Sequence, residues 1–151
     1  MSIVPPRHFH DLLEGYRFEG TDVTVTESHI VTYAGLTGDF YKLHMNAHVM
    51  ADHPFGQRVA HGPLTVALAM GQLAQRITQE NWQVEAAIGM TDFRFLAPVF
   101  IGDTLHSEGT VSVGKERESN GFVPVNLEVT NQRGESVLTG SFTLIVSKNG
   151  E

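Results

Sequence analysis

The sequence predicts an α+β fold, with one long buried helix and an antiparallel sheet curled around it, and three observations predict it. The stretch from Pro63 to Gln79, PLTVALAMGQLAQRITQ, is apolar nearly all round in its first half, as a helix buried on several sides must be. Four later segments alternate in polarity or carry strand-forming residues. Short polar runs containing glycine separate them, as hairpin connections do. With 151 residues, the chain is expected to form a single domain, residues 1–151.

Taken in order, the segment up to about Gly20 is irregular, and Asp22 to Thr26 alternates as a short strand. Thr26 suits the N-cap of a helix over Ser28 to Leu36, with Glu27 favourable in its first turn. Gly38 is a natural left-handed terminator. From Asp39 to His61 the periodicity is lost, leaving room for a helical turn near Asn46 to Ala51. Gly62 suits the N-cap of the long helix, with Pro63 at its first position. At about 1.5 Å per residue that helix reaches about 25 Å, enough to cross a sheet. Its small residues Ala67, Ala69, Gly71 and Ala74 permit close approach of backbone. The strands follow at Ala86 to Val99, Asp103 to Glu116, Gly121 to Asn131 and Ser136 to Ser147, with connections at Gly114 to Gly121 and Asn131 to Gly134.

The irregular stretch carries the chemistry. In TGDFYKLH, Asp39 and His44 would lie ~140° apart on one helix, yet can converge in a loop opened by Gly38. A carboxylate and an imidazole sharing one water suit acid–base work near neutral pH. Taken alone, the spacing fits equally a turn-capping Asp39 and a surface His44. In VAHGPL, Gly62 lies where a helix presents unpaired N–H groups and the positive end of its dipole, a suitable place for a developing oxyanion. An ordinary Gly-Pro helix start has the same appearance.

Together the stretches YAGLTGDFYKLH, VAHGPL and FLAPVFIGDTL, in that order, resemble the MaoC-like hydratases, the (R)-specific enoyl-CoA hydratase branch of the hot-dog superfamily. The resemblance runs from about Tyr16 to Val146. It implies a hot-dog fold and reversible addition of water to a trans-2-enoyl-CoA, giving an (R)-3-hydroxyacyl-CoA. By position, Asp39 and His44 match the catalytic pair that holds and activates water, and the Gly62 N–H matches the oxyanion donor. No cofactor is implied, since the CoA thioester is the substrate, with acyl-ACP as a second possible carrier. A homodimer is expected from the way the family's sheets pair. The sequence departs from the pattern where Asn-Pro is replaced by Tyr41-Lys42, which places both residues among the expected substrate-binding groups. Lys42 is positioned to hold Asp39 ionised or to point to solvent. Met70 stands where some relatives carry a Ser near the site, and His61 is either a structural group at the helix start or a pocket residue.

Other classes fit less well. A net charge of −7 and scattered Lys and Arg disfavour nucleic acid. No apolar run reaches the ~20 residues that cross a membrane, and MSIVPPRHFHDLLEGY is a poor signal peptide, so a cytoplasmic protein is expected. There is no cysteine for a disulfide or thiolate. His44 and His48 lack the intervening Glu of a metalloprotease helix, so no metal is expected. Arg58, Arg94 and Lys115 are weak candidates for the CoA phosphates. A thioesterase would need a carboxylate on or beside the helix, and none occurs from Pro63 to Arg76. A non-catalytic acyl-thioester binder is the other alternative.

Overall fold

The computed structural model describes residues 4–112 and 114–148, so the ends of the expected 1–151 domain and Val113 of the expected third strand lie outside it. A 3-10 turn at Phe9–Asp11 leads into β1 (Arg17–Glu19) and β2 (Val23–Thr24). Three helices follow, α1 (Glu27–Thr37), α2 (Lys42–Met45) and α3 (Ala47–Ala51), and then the long α4 (Gly62–Gln79). The chain finishes with β3 (Val84–Phe95), β4 (Thr104–Val111), β5 (Asn120–Thr130) and β6 (Ser136–Ser147). The pairings between these strands are antiparallel, in the order β1-β4-β5-β6-β3, with β2 also on β4. A sheet of this order backed by one long helix is the hot-dog arrangement that the resemblance implies.

Local chemistry accounts for the boundaries. The Thr26 hydroxyl accepts from the His29 N–H at the start of α1. Gly38 ends the helix at φ 80°, a conformation open to glycine at little cost, and its N–H donates to the Ala34 carbonyl. Asn46 caps α3 by accepting from Val49 N at 3.0 Å. β3 stops at Phe95 rather than Val99, because the chain turns away before Pro98, which has no N–H to offer a ladder. β4 stops at Val111, short of Glu116. Two elements carried too little pattern to be foreseen, the three-residue β1 and the four-residue α2. α4 starts one residue earlier than expected: His61 is its N-cap, and Gly62 is its first helical residue.

The core lies between α4 and the inner face of the sheet. Leu64, Ala69 and Leu73 of α4 meet Leu105, Val125, Val129, Leu138 and Phe142, all buried. Burial alternates along β4 and β5 as period two requires. The expectation that α4 is buried on several sides is corrected within this chain, where Ala67, Gly71 and Ala74 are exposed. β3 is similar: an edge strand that, among the described residues, pairs with β6 alone, it is exposed at nearly every position, including Ile88 and Met90.

Two buried carboxylates hold the far end of α4 and the β3–β4 turn. Glu80 accepts from Tyr16 Oη at 2.7 Å, Trp82 Nε1 at 3.0 Å and Arg76 Nε at 2.8 Å, with Arg7 3.7 Å away. Asp103 accepts from the Phe100 N–H at 2.9 Å, Gln132 Nε2 at 2.8 Å and Arg133 at 3.0 Å. Burial alone would raise both acids, but the hydrogen bonds and the arginine charges outweigh it and hold both below the ordinary carboxylate range. A carboxylate with a lowered folded-state value stabilises the fold fully above its unfolded value, about 4, and loses that contribution as pH falls through the folded value. Stability should therefore decline from about pH 4 downward. Glu80→Gln should cost about 1–3 kcal/mol at pH 7 and soften that decline, as thermal melts from pH 7 to pH 3 would show. An unchanged acid decline in the variant would exclude Glu80 as its cause.

Candidate active site

The site forms where the stretch after α1 returns to the tip of α4. Gly38 reverses the chain, and Asp39 follows in an Asx-type turn, its carboxylate Oδ1 accepting from the Tyr41 N–H at 3.2 Å. Its own N–H donates to Thr37 Oγ1 at 3.2 Å. Tyr41 then opens α2, which carries His44 on its single turn. Val59 holds this turn from both sides: its N–H donates to the Leu43 carbonyl at 3.0 Å, and its carbonyl receives His44 Nδ1 at 2.8 Å. The next residue, Ala60, donates to the Val99 carbonyl at 2.7 Å. His61 and Gly62 are thus delivered to the same place by the segment that anchors His44.

Asp39 and His44 converge as the loop reading required. One ring nitrogen from each of His44 and His61, and one carboxylate oxygen of Asp39, lie within 4.8 Å of one another. Asp39 is exposed, His44 partly buried and His61 fully buried. Because a carbonyl only accepts, the Nδ1 of His44 carries the proton shared with Val59, and Nε2 of the neutral ring is a bare acceptor. A carboxylate and an unprotonated imidazole nitrogen side by side can hold a water by its two protons.

The helix tip completes the arrangement. Thr65 N→His61 O at 3.2 Å is the first bond of α4, so the Gly62 N–H precedes its hydrogen-bonded ladder. No acidic residue lies in the first turn of α4 to oppose a developing negative charge there. His44 and Gly62 line one cavity of about 460 Å3, whose other walls include Phe55, Val59, Thr65, Phe95 and Leu96. Those walls are mainly apolar and suit an acyl chain.

The remaining expected residues fall in different places. Tyr41 contributes its backbone N–H, while the residue as a whole is 57% exposed. Lys42 is exposed at the start of α2 and enters none of the ion pairs among the described residues, which is the solvent-facing one of its two alternatives. Met70, which could either shape the acyl pocket or fill the core, packs against the core two turns along α4, and Thr65 rather than Met70 lines this cavity. Arg58 is engaged elsewhere, gripping Glu27 and donating to the His44 carbonyl at 3.3 Å. Phe95 was missed as a wall residue, because alternation places it on a face of β3 without showing where that strand ends.

Comparison with known proteins agrees with this fold. The family profile described as MaoC like domain matches residues 14–133. The chain is 32% identical over 108 residues to 3-hydroxyacyl-thioester dehydratase Z of Mycobacterium tuberculosis, covering 72% of this chain and 71% of that one. It is 30% identical over 148 residues to an (R)-specific enoyl-CoA hydratase of Rhodospirillum rubrum, covering 95% and 94% of the two chains. Among solved structures, an Archaeoglobus protein described as a monoamine oxidase regulatory protein superposes with a TM-score of 0.90 at 39% identity, covering 96% and 97%. A hot-dog scaffold, three ordered motifs meeting at one helix tip and relatives named for hydration and dehydration lead to one assignment: the chain belongs to the MaoC-like family of hydratases and dehydratases.

Proposed function

We propose that the protein adds water reversibly to a trans-2-enoyl-CoA to give an (R)-3-hydroxyacyl-CoA. The observation that carries this reading is the meeting of Asp39 and His44 beside the free N–H end of α4, with His44 and Gly62 lining one apolar cavity. The thioester carbonyl points at the Gly62 N–H, and Asp39 with His44 Nε2 holds one water over the β-carbon. The water oxygen bonds to that carbon as its proton passes to the pair, and the double-bond electrons move onto the carbonyl oxygen. The α-carbon then takes the proton back, so one water supplies both added groups. The hydratase and dehydratase names of the relatives fit the two directions of this reaction.

Asp, His and His are also residue types that hold metal ions. The rings of His44 and His61 are stacked, however, with centroids 3.8 Å apart and planes inclined by only 26°. In-plane lone pairs on two such rings do not meet at one point within bonding distance. That favours water as the occupant, with no cofactor, the thioester itself making the substrate reactive.

Hydration of crotonyl-CoA, followed as loss of enoyl absorbance with chiral analysis of the product, tests the reading. Turnover to the (R) isomer is expected. Lack of turnover across short, long and branched enoyl-CoAs would instead make the protein an acyl-thioester binder. Thiol release from saturated acyl-CoAs would make it a thioesterase. Parallel assays on acyl-ACP decide the carrier.

The exposed edge of β3 and the uncovered small-residue face of α4 support a homodimer formed across them. A twelve-residue edge strand carrying Ile88 and Met90 in the open is a template for strand pairing. Ile88→Asp with Met90→Asp should convert a sedimenting dimer to monomer. Sedimentation of the wild type as a monomer would remove the proposal.

A further inference from the structure

We infer that His61 is a positioning residue for both Asp39 and His44, an inference that rests on the hydratase reading of the site. Four observations single it out. Its imidazole is fully buried, at 0% exposure. It occupies the N-cap of α4, where Ser, Thr, Asp or Asn normally bond the first free N–H groups, yet its side chain makes no capping bond. Its Nε2 bonds the backbone carbonyl of Asp39 at 2.9 Å. Its Nδ1 is buried with no hydrogen-bond partner, a cost a merely structural side chain would avoid. The polar and aromatic contacts of the ring go to the site: Asp39 by hydrogen bond, His44 by stacking, and Tyr33 of α1 at 4.8 Å between centroids.

The two contacts do different things. The Asp39 carbonyl can only accept, so the His61 Nε2–H donates and pins the backbone just beyond the left-handed Gly38. The carboxylate then has one orientation, set by the Tyr41 N–H on one side and the fixed backbone on the other. His44 is held at one edge by Val59, a bond about which the ring could still tilt. Stacking at 3.8 Å on His61 removes that freedom and aims Nε2. The charge that His44 gains on taking a proton from water also lies against an aromatic face, where a cation is stabilised.

Three substitutions separate these roles. His61→Phe keeps a ring against His44 and loses the donor to Asp39. His61→Gln keeps a donor of similar reach and loses the ring. His61→Leu loses both. On crotonyl-CoA, His61→Leu should lower kcat by about 10²-fold with KM changed by less than about threefold, since misplacement of the reacting groups is the defect. His61→Phe and His61→Gln should each recover about tenfold of that loss. A Leu variant with wild-type kcat, or one whose loss appears in KM alone, overturns the inference. A readout independent of turnover is the 15N signal of the His44 ring. It should show one tautomer with Nδ1 protonated in the wild type, and exchange averaging in His61→Leu. Unchanged His44 signals in that variant overturn the inference even if no substrate is turned over. Failure of the wild type to hydrate enoyl-CoA, with the ring signals behaving as expected, overturns only the hydratase reading.

Discussion

Asp39→Asn and His44→Ala should each lower kcat for enoyl-CoA hydration by about 10²–10⁴-fold while leaving the fold intact. The first change is nearly isosteric, and the Asn carbonyl oxygen can still accept from the Tyr41 N–H, so the turn keeps its shape. What it loses is the negative charge and an acceptor for the water proton. The second removes the bare Nε2 acceptor together with the Nδ1 bond to Val59. Because both groups hold one water, their losses should not add, and the double variant should be about as slow as the worse single one. Steady-state kinetics on crotonyl-CoA, beside thermal melts of each variant, make the check. Robust turnover surviving in both variants would dismiss the pair as the catalytic groups. So would losses that simply track melting temperature.

Those two residues were legible because their environment is local. Gly38, Asp39 and His44 sit within one short stretch, and a glycine with positive φ is enough to turn an unfavourable helical spacing into convergence. The caps were legible for the same reason, since Thr26 and Gly38 act on groups three or four residues away. Properties that depend on distant packing were less visible. The first half of α4 is apolar nearly all round, so pattern alone could not say that Thr65 rather than Met70 faces the cavity. β1 is three residues long and owes its existence to pairing with β4, more than 80 positions later. The buried ring of His61 shows most clearly what was hidden. Its neighbours Asp39, His44 and Tyr33 come from three different segments, and only the folded chain brings them to the N-cap of α4.

Gly62→Ala should lower kcat/KM by about 10²-fold while leaving melting temperature equal or slightly higher. Alanine is the better helix former, so any instability would have to come from crowding. A Cβ at this position would lie 2.7 Å from Phe95 Cζ, too close for the ring to remain where it is. Phe95 is 55% exposed at the end of an edge strand, so the ring can swing outward, while the methyl group stays on the Cα beside the N–H that alanine retains. Adding Phe95→Ala to Gly62→Ala distinguishes the two costs. If the clash with the ring is the defect, the double variant regains the activity of Phe95→Ala alone. If the thioester carbonyl needs the space above Gly62, the double variant stays about 10²-fold below that control. The second result is expected, because the proposed pose lays the thioester against the Gly62 Cα, and a methyl group there would move its carbonyl beyond hydrogen-bond distance of the N–H that alanine retains.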